Sequence, residues 1–152
     1  MLHSHLRRLE RVWILNPIFF VSTNTNGRRK ILANEKVVSI LVDEWSSSSR
    51  RHGWYVGQYV VMPDHVHFFC SSGSSGKSLS SFMKCWKEWT SKRIINECGI
   101  DGNVWQREFF DHVIRNEASY AQKKEYVLNN PVKAGFVKYA EDWNWKGEIE
   151  QL

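Results

Sequence analysis

Two short stretches of the chain carry side chains that could act together on a phosphodiester. The first is His65-Val66-His67. On a strand, side chains alternate between faces, so His65, His67 and Phe69 would point one way and the wholly apolar Val66, Phe68 and Cys70 the other. The two imidazoles would then stand roughly 7 Å apart at Cα. From that spacing, two neutral ring nitrogens can converge on one ion. An isolated pair of this kind is more often two surface histidines on a half-solvated strand. The second stretch is Tyr126-Val-Leu-Asn-Asn130-Pro131. On a helix, Tyr126 and Asn130 share a face with Gln122. An amide oxygen is a hard ligand that can stand beside two histidines, with the phenol close to the same ion. A lone helical tyrosine is more often a core or boundary residue. Tyr120, six residues earlier and about 120° around the helix, takes that reading.

Combined, the two stretches make a coherent reaction. A tyrosine attacking phosphorus needs a polarised phosphate oxygen and a stabilised pentavalent state, and a divalent ion supplies both. A phenol ordinarily titrates near ~10, so it also needs a nearby cation to act as phenolate; the ion or Lys123 could serve. A covalent phosphotyrosine conserves the energy of the broken bond and permits rejoining without ATP.

The elements that must position these groups can be read from periodicity. Ile18–Thr23 is β-branched and aromatic and reads as a strand, with a turn at Asn24–Gly27 and a basic cluster of Arg28, Arg29 and Lys30 after it. Asn34 can cap a helix through about Arg51, with an apolar stripe of Val37, Ile40, Leu41, Val42 and Trp45, ended by Gly53. Trp54–Met62 and His65–Cys70 read as a hairpin about Pro63-Asp64. A flexible loop, SSGSSGKS, starts at Ser71. A second helix from Ser78 to about Glu97, with Leu79, Phe82, Met83, Trp86 and Trp89 inward, stops near Gly99. Phe109–Ile114 reads as a strand, and Asn116 or Ser119 caps a third helix to about Asn129, stopped by Pro131. The order β-α-β-β-α-β-α predicts an α+β, ferredoxin-like split βαβ antiparallel sheet. Helices lie on one face, and the tyrosine's helix lies near the other.

Length and composition bound the rest. A chain of 152 residues fits one domain, with a core over about 12–137 and a C-terminal tail at 138–152. The net charge of +5 favours an anionic partner, though a merely soluble basic protein shares it. Eight tryptophans exceed what a core of this size needs, and a surplus could stack on bases. Cys70, Cys85 and Cys98 make neither a zinc signature nor a disulfide framework, which points to a reducing cytoplasm. No apolar run reaches the ~18–20 residues that span a bilayer. No apolar stretch follows Met1–Arg11 to make a signal peptide.

The motifs also carry a resemblance. His65-Val-His67, preceded by Val60-Val-Met-Pro-Asp64, resembles the His-hydrophobic-His motif of the HUH single-strand endonucleases. Trp105-Gln-Arg107, Phe110-Asp-His-Val-Ile-Arg115 and Tyr126 through Asn130-Pro-Val-Lys-Ala-Gly135-Phe-Val137 resemble the IS200-like single-tyrosine transposases, and most of all their REP-associated branch. The resemblance runs from about Val12 to Val137. It implies Tyr126 as nucleophile, His65, His67 and Asn130 as metal ligands, and magnesium or manganese as the ion. Two histidines make manganese at least as comfortable chemically. It also implies cleavage of single-stranded DNA near hairpins of repeated palindromes, leaving a 5′-phosphotyrosine and a free 3′-hydroxyl. A monomer is preferred over a homodimer, in a bacterial cytoplasm at the nucleoid.

Candidate DNA contacts fall in three groups. They are Arg28, Arg29 and Lys30; Lys84, Lys87, Lys92 and Arg93; and Arg107, Arg115, Lys123 and Lys124. Such groups give salt-dependent binding. Trp105 and Phe110 could stack unpaired bases. Solvated helix faces for the cations and core packing for the rings are the alternatives. A hairpin-binding protein without cleavage and a histidine-type phosphoesterase are the competing functions. The second is disfavoured because the chain has a single HxH, with His52 and His112 isolated.

Overall fold

A computed structural model describes residues 16–73 and 76–152. The absence of a signal peptide at Met1–Arg11, the start of the resemblance at Val12 and two residues of the serine-glycine loop fall outside the described residues. Five strands form one antiparallel sheet: β1 (Ile18–Asn24), β2 (Trp54–Val61), β3 (His65–Ser72), β4 (Phe110–Ile114) and β5 (Lys146–Glu148). Their order is β4-β1-β3-β2-β5. The helices are α1 (Glu35–Ser46), α2 (Ser48–His52), α3 (Leu79–Cys98), α4 (Glu117–Leu128) and α5 (Asn130–Lys133). The first four strands with α1 and α3 make the expected α+β split βαβ arrangement.

Helix starts follow the capping residues. The Asn34 side chain accepts from Val37 N, Ser78 from Ser81 N, and Asn116 from Ser119 N. Of the two candidate caps for α4, Asn116 is therefore the one used. Gly53 and Gly99 end α2 and α3 in the left-handed conformation at φ 71° and 65°.

The sheet has a core on each side. Val66, Phe68 and Cys70 pack with Trp45, Phe82 and Trp86 of α1 and α3. Phe20 and Phe69 pack on the opposite face with Tyr120 and Val127 of α4 and with Trp143. Alternation along β3 thus holds, but the histidine-bearing face is covered by α4 rather than half-solvated.

The structure departs from the sequence reading elsewhere as well. The helix expected from Asn34 to Arg51 breaks at Ser47, because the hydroxyls of Ser47 and Ser48 bond back to the carbonyls of Asp43 and Glu44. Pro131 does not stop the last helix. The helix ends at Leu128, and Pro131 sits in the first turn of α5, where its missing N–H leaves no bond unmade. Residues 138–152, expected as a tail, contribute β5 to the edge of β2, and Trp143 Nε1 donates to Val61 O at 3.0 Å. Lys-Gly-Glu carries no strand preference, so only backbone pairing with an open sheet edge makes it a strand. Finally, among the described residues Trp45, Trp54, Trp86, Trp105 and Trp143 are buried, while Trp89, expected to face inward, is 45% exposed.

Candidate active site

The hairpin turn that launches β3 is clamped from both sides. Met62 N donates to His65 O at 2.8 Å, closing the turn. Thr25 N donates to Asp64 O at 2.9 Å and Leu32 N to Pro63 O at 3.0 Å. His65 and His67 then project from the same face with ring centroids 4.8 Å apart, nearly perpendicular. His65 Nδ1 lies 2.7 Å from Asp64 Oδ1, and Arg28 Nε donates to the other carboxylate oxygen at 3.0 Å. Burial acts to raise the Asp64 carboxyl, but its hydrogen bonds to His65 and Arg28 outweigh that and hold it below its ordinary value.

His67 is 9% exposed, stacked on Phe20 at 5.4 Å, and its Nδ1 is buried without a partner. Burial, then the charges of His65 and Lys123, push its pKa down to about 3. It is therefore a neutral imidazole at any physiological pH, the form that donates a lone pair.

Tyr126 stands 48% exposed on α4. The ammonium groups of Lys123 and Lys133 lie over its ring at 4.9 and 4.5 Å. Lys123 also sits over Phe20 at 4.5 Å, and Phe20 stacks on His67. One cation and one ring thus join the phenol to the imidazole pair within a single chain. Tyr126, Gln122, Lys123, His112 and Ser119 line a cleft of about 340 Å³. Tyr120 is buried, and burial raises its phenol to about 12. Asn130 opens α5 immediately after this helix, half-buried, with Nδ2 buried and unpaired.

Among the described residues, no three His, Cys, Asp or Glu side chains gather as a metal site. The donor set expected here is different: two imidazoles and an amide. Two of its three members carry a buried polar nitrogen with no protein partner, and His65, with Nδ1 engaged by Asp64, keeps Nε2 for a ligand. An amide turned about its last torsion presents oxygen where nitrogen stood. Two imidazoles and an amide are donor types that suit a divalent ion accepting nitrogen and oxygen.

The residues expected to meet DNA separate into several groups. Lys123 is at the cleft, and Arg115 is exposed just past β4. Arg28 is half-exposed but engaged with Asp64. Arg29 Nη1 donates to Asp101 O at 2.7 Å and so ties down a loop. Lys84 and Arg107 are exposed and line a second cleft, of about 680 Å³, on the α3 side of the sheet. Lys87 lines that cleft too, but its ammonium is held by the carbonyls of Gln106 (2.7 Å), Arg107 (3.2 Å) and Glu108 (2.8 Å). Trp105 is 7% exposed, and Nε1 donates to Thr90 Oγ1 at 2.9 Å, so it is a core residue and has no free face for a base. Its indole lies 5.0 Å from that of Trp86, a partner the sequence pattern does not reveal. Arg93 is drawn to Asp43, Glu44 and Glu97.

Three residues at the site escaped the sequence reading. The sequence marks Asp64 as a turn residue and motif member and Lys133 as a motif member, and gives neither a role at the site. His112 was set aside as isolated, although alternation along β4 puts it on the same face as Phe110 and Ile114.

Comparison with known proteins agrees with this fold. The family model described as IS200-like transposase matches residues 19–130. A REP-associated tyrosine transposase of Escherichia coli K12 is 30% identical over 133 residues, covering 88% of this chain and 77% of that protein. A solved structure of a REP-associated tyrosine transposase bound to a REP hairpin aligns with TM-score 0.71 and 27% identity over 86% of this chain and 75% of that one. A Deinococcus radiodurans R1 protein shares the fold, with TM-score 0.57 and 21% identity over 75% of this chain and 90% of its own. The fold and these likenesses are those of a tyrosine transposase. The chain belongs to the IS200-like transposase family.

Proposed function

We propose that the chain cleaves and rejoins single-stranded DNA beside hairpins of the REP type, using Tyr126 as nucleophile. The Tyr126 oxygen attacks phosphorus, forming a tyrosine–5′-phosphate bond. The bond to the 3′ oxygen breaks, and that oxygen takes up a proton as the phenol gives one to solvent. Reversal with a different 3′-hydroxyl rejoins the strand. His65, His67 and Asn130 would hold magnesium or manganese, which when bound supplies Lewis-acid polarisation of the phosphate and orients it. Lys123 and Lys133 set positive charge beside the phenol and the phosphate it attacks.

The observation that carries this reading is the single-chain linkage of an exposed tyrosine, through Lys123 and Phe20, to a buried neutral imidazole beside a second one. All members of that linkage belong to one chain, which supports the reading as a monomer. The hairpin substrate is supported by the REP hairpin in the structural relative. A cytoplasmic setting at the nucleoid is supported by three free thiols.

The test is a labelled hairpin oligonucleotide with single-stranded flanks, incubated with Mn2+ or Mg2+ and run on a denaturing protein gel. The wild-type chain is expected to form a covalent adduct. Tyr126→Phe is expected to form none while still binding the oligonucleotide and keeping its stability within about 0.5 kcal/mol, as befits an exposed site. An adduct on the phenylalanine variant would refute the assignment. Binding without an adduct by the wild type would favour a hairpin-binding protein.

A further inference from the structure

Arg28 stands out for its backbone as well as its contacts. Among the described residues it is the only non-glycine with a positive φ, at 54°, directly after Gly27 at 65°. L side chains rarely adopt that conformation, and such outliers persist only where surrounding structure holds them. Here the surroundings are specific. Arg28 N donates to Thr25 O at 3.1 Å. Thr25, fully buried, donates from N to Asp64 O at 2.9 Å, and its Oγ1 donates to Arg29 O at 2.8 Å with Asp64 O at 3.2 Å beside it. The left-handed turn thus hangs from the same residue that fixes the turn before β3. It aims the guanidinium at Asp64 Oδ2, 3.0 Å from Nε. The other oxygen, Oδ1, faces His65 Nδ1 at 2.7 Å. A carboxylate can only accept, so the Nδ1 proton belongs to the imidazole and the lone pair is left on Nε2.

We propose that Asp64 is a positioning residue for the metal site, fixing His65 in the Nδ1–H tautomer so that Nε2 faces the ion, and that Arg28, held in a strained turn, locks the carboxylate in that role. This rests on the metal reading above. A carboxylate on the far nitrogen of a metal-binding histidine sets ring orientation and strengthens the donor. A guanidinium on the carboxylate's second oxygen stops it from rotating toward the ion or toward solvent. The half-exposed side chain of Arg28 is then a part of the site's scaffold first, whatever it also offers to DNA.

The experiment reads tautomer and binding, not cleavage. Long-range 1H–15N correlation on metal-free protein is expected to show His65 protonated at Nδ1 in the wild type. In Asp64→Ala the Nε2–H form, preferred by a free imidazole, should take over. Calorimetric titration with Mn2+ should show binding weakened about 10–100-fold in Asp64→Ala. Asp64→Asn keeps an acceptor and should recover part of that loss. Arg28→Gly removes the guanidinium and relieves the left-handed backbone together. It is expected to melt no lower than the wild type yet bind Mn2+ more weakly, a combination that a purely structural role would not give. A wild type that binds no Mn2+, with His65→Ala unchanged, would overturn the metal reading and this proposal with it. Wild-type binding that His65→Ala abolishes but Asp64→Ala leaves intact would overturn the role of Asp64 alone. An unaltered His65 tautomer in Asp64→Ala would do the same.

Discussion

Replacing His67 with leucine is expected to make the metal-free chain more stable, not less. The imidazole is 9% exposed and its Nδ1 has no hydrogen-bond partner. A buried unsatisfied polar atom costs about 1–3 kcal/mol. Leucine has similar bulk and no such atom. Against this stands the lost stacking on Phe20, worth about 0.5–1.5 kcal/mol. The net gain at pH 7 is therefore about 0–2 kcal/mol. Acid enlarges the difference. The folded imidazole titrates at about 3 instead of 6.5. Below 6.5 the unfolded chain takes up the proton and the folded chain does not, so wild-type stability falls as pH drops and is lost progressively down to about 3. From pH 6.5 to 5 that linkage alone removes about 2 kcal/mol. His52, lowered by burial and by the charges of Lys77 and Arg51, adds a slope of the same sign, but one common to both proteins. Urea unfolding with EDTA at pH 7 and pH 5 measures the effect. His67→Leu should gain about 2–4 kcal/mol on the wild type at pH 5 while losing cleavage. A variant at least 1 kcal/mol less stable at pH 7, or one with the wild-type pH slope, would refute the argument that this histidine is held for chemistry at the expense of stability.

Other consequences are more local. Trp105→Ala should cost about 3–5 kcal/mol in unfolding free energy; a base-stacking role would instead leave stability unchanged and weaken DNA binding. Lys87→Met keeps the aliphatic stem but frees three carbonyls, so amide exchange in residues 106–109 should accelerate while the salt slope of DNA binding stays within one counterion of the wild type. Gly147→Ala would place a Cβ 2.6 Å from Tyr59 Oη. It should cost about 1–3 kcal/mol and expose the amides of β5 first, as read by hydrogen exchange.

The sequence by itself determined the elements and the chemical inventory. Caps at Asn34, Ser78 and Asn116, left-handed glycines at positions 53 and 99, and period-two alternation from His65 to Cys70 are local rules, and the structure obeys them because each depends on neighbours a few residues away. His-x-His and the tyrosine were visible for the same reason. Tertiary structure decided what each side chain does once placed. Trp105 and Lys87 look like DNA contacts in a basic, aromatic sequence; packing against Trp86 and Thr90, and three loop carbonyls, claim them instead. Arg28 reads as one of a run of cations until a left-handed turn aims it at Asp64. The strand at Lys146–Glu148 has no signature of its own, because an open sheet edge supplied by β2 is what makes it a strand. Whether a phenol on one helix lies near two imidazoles on a strand sixty residues earlier depends on how α4 lies across the sheet. That is fixed by the apolar contacts of Tyr120 and Val127 with Phe69 and its neighbours, long-range burial that no local pattern encodes.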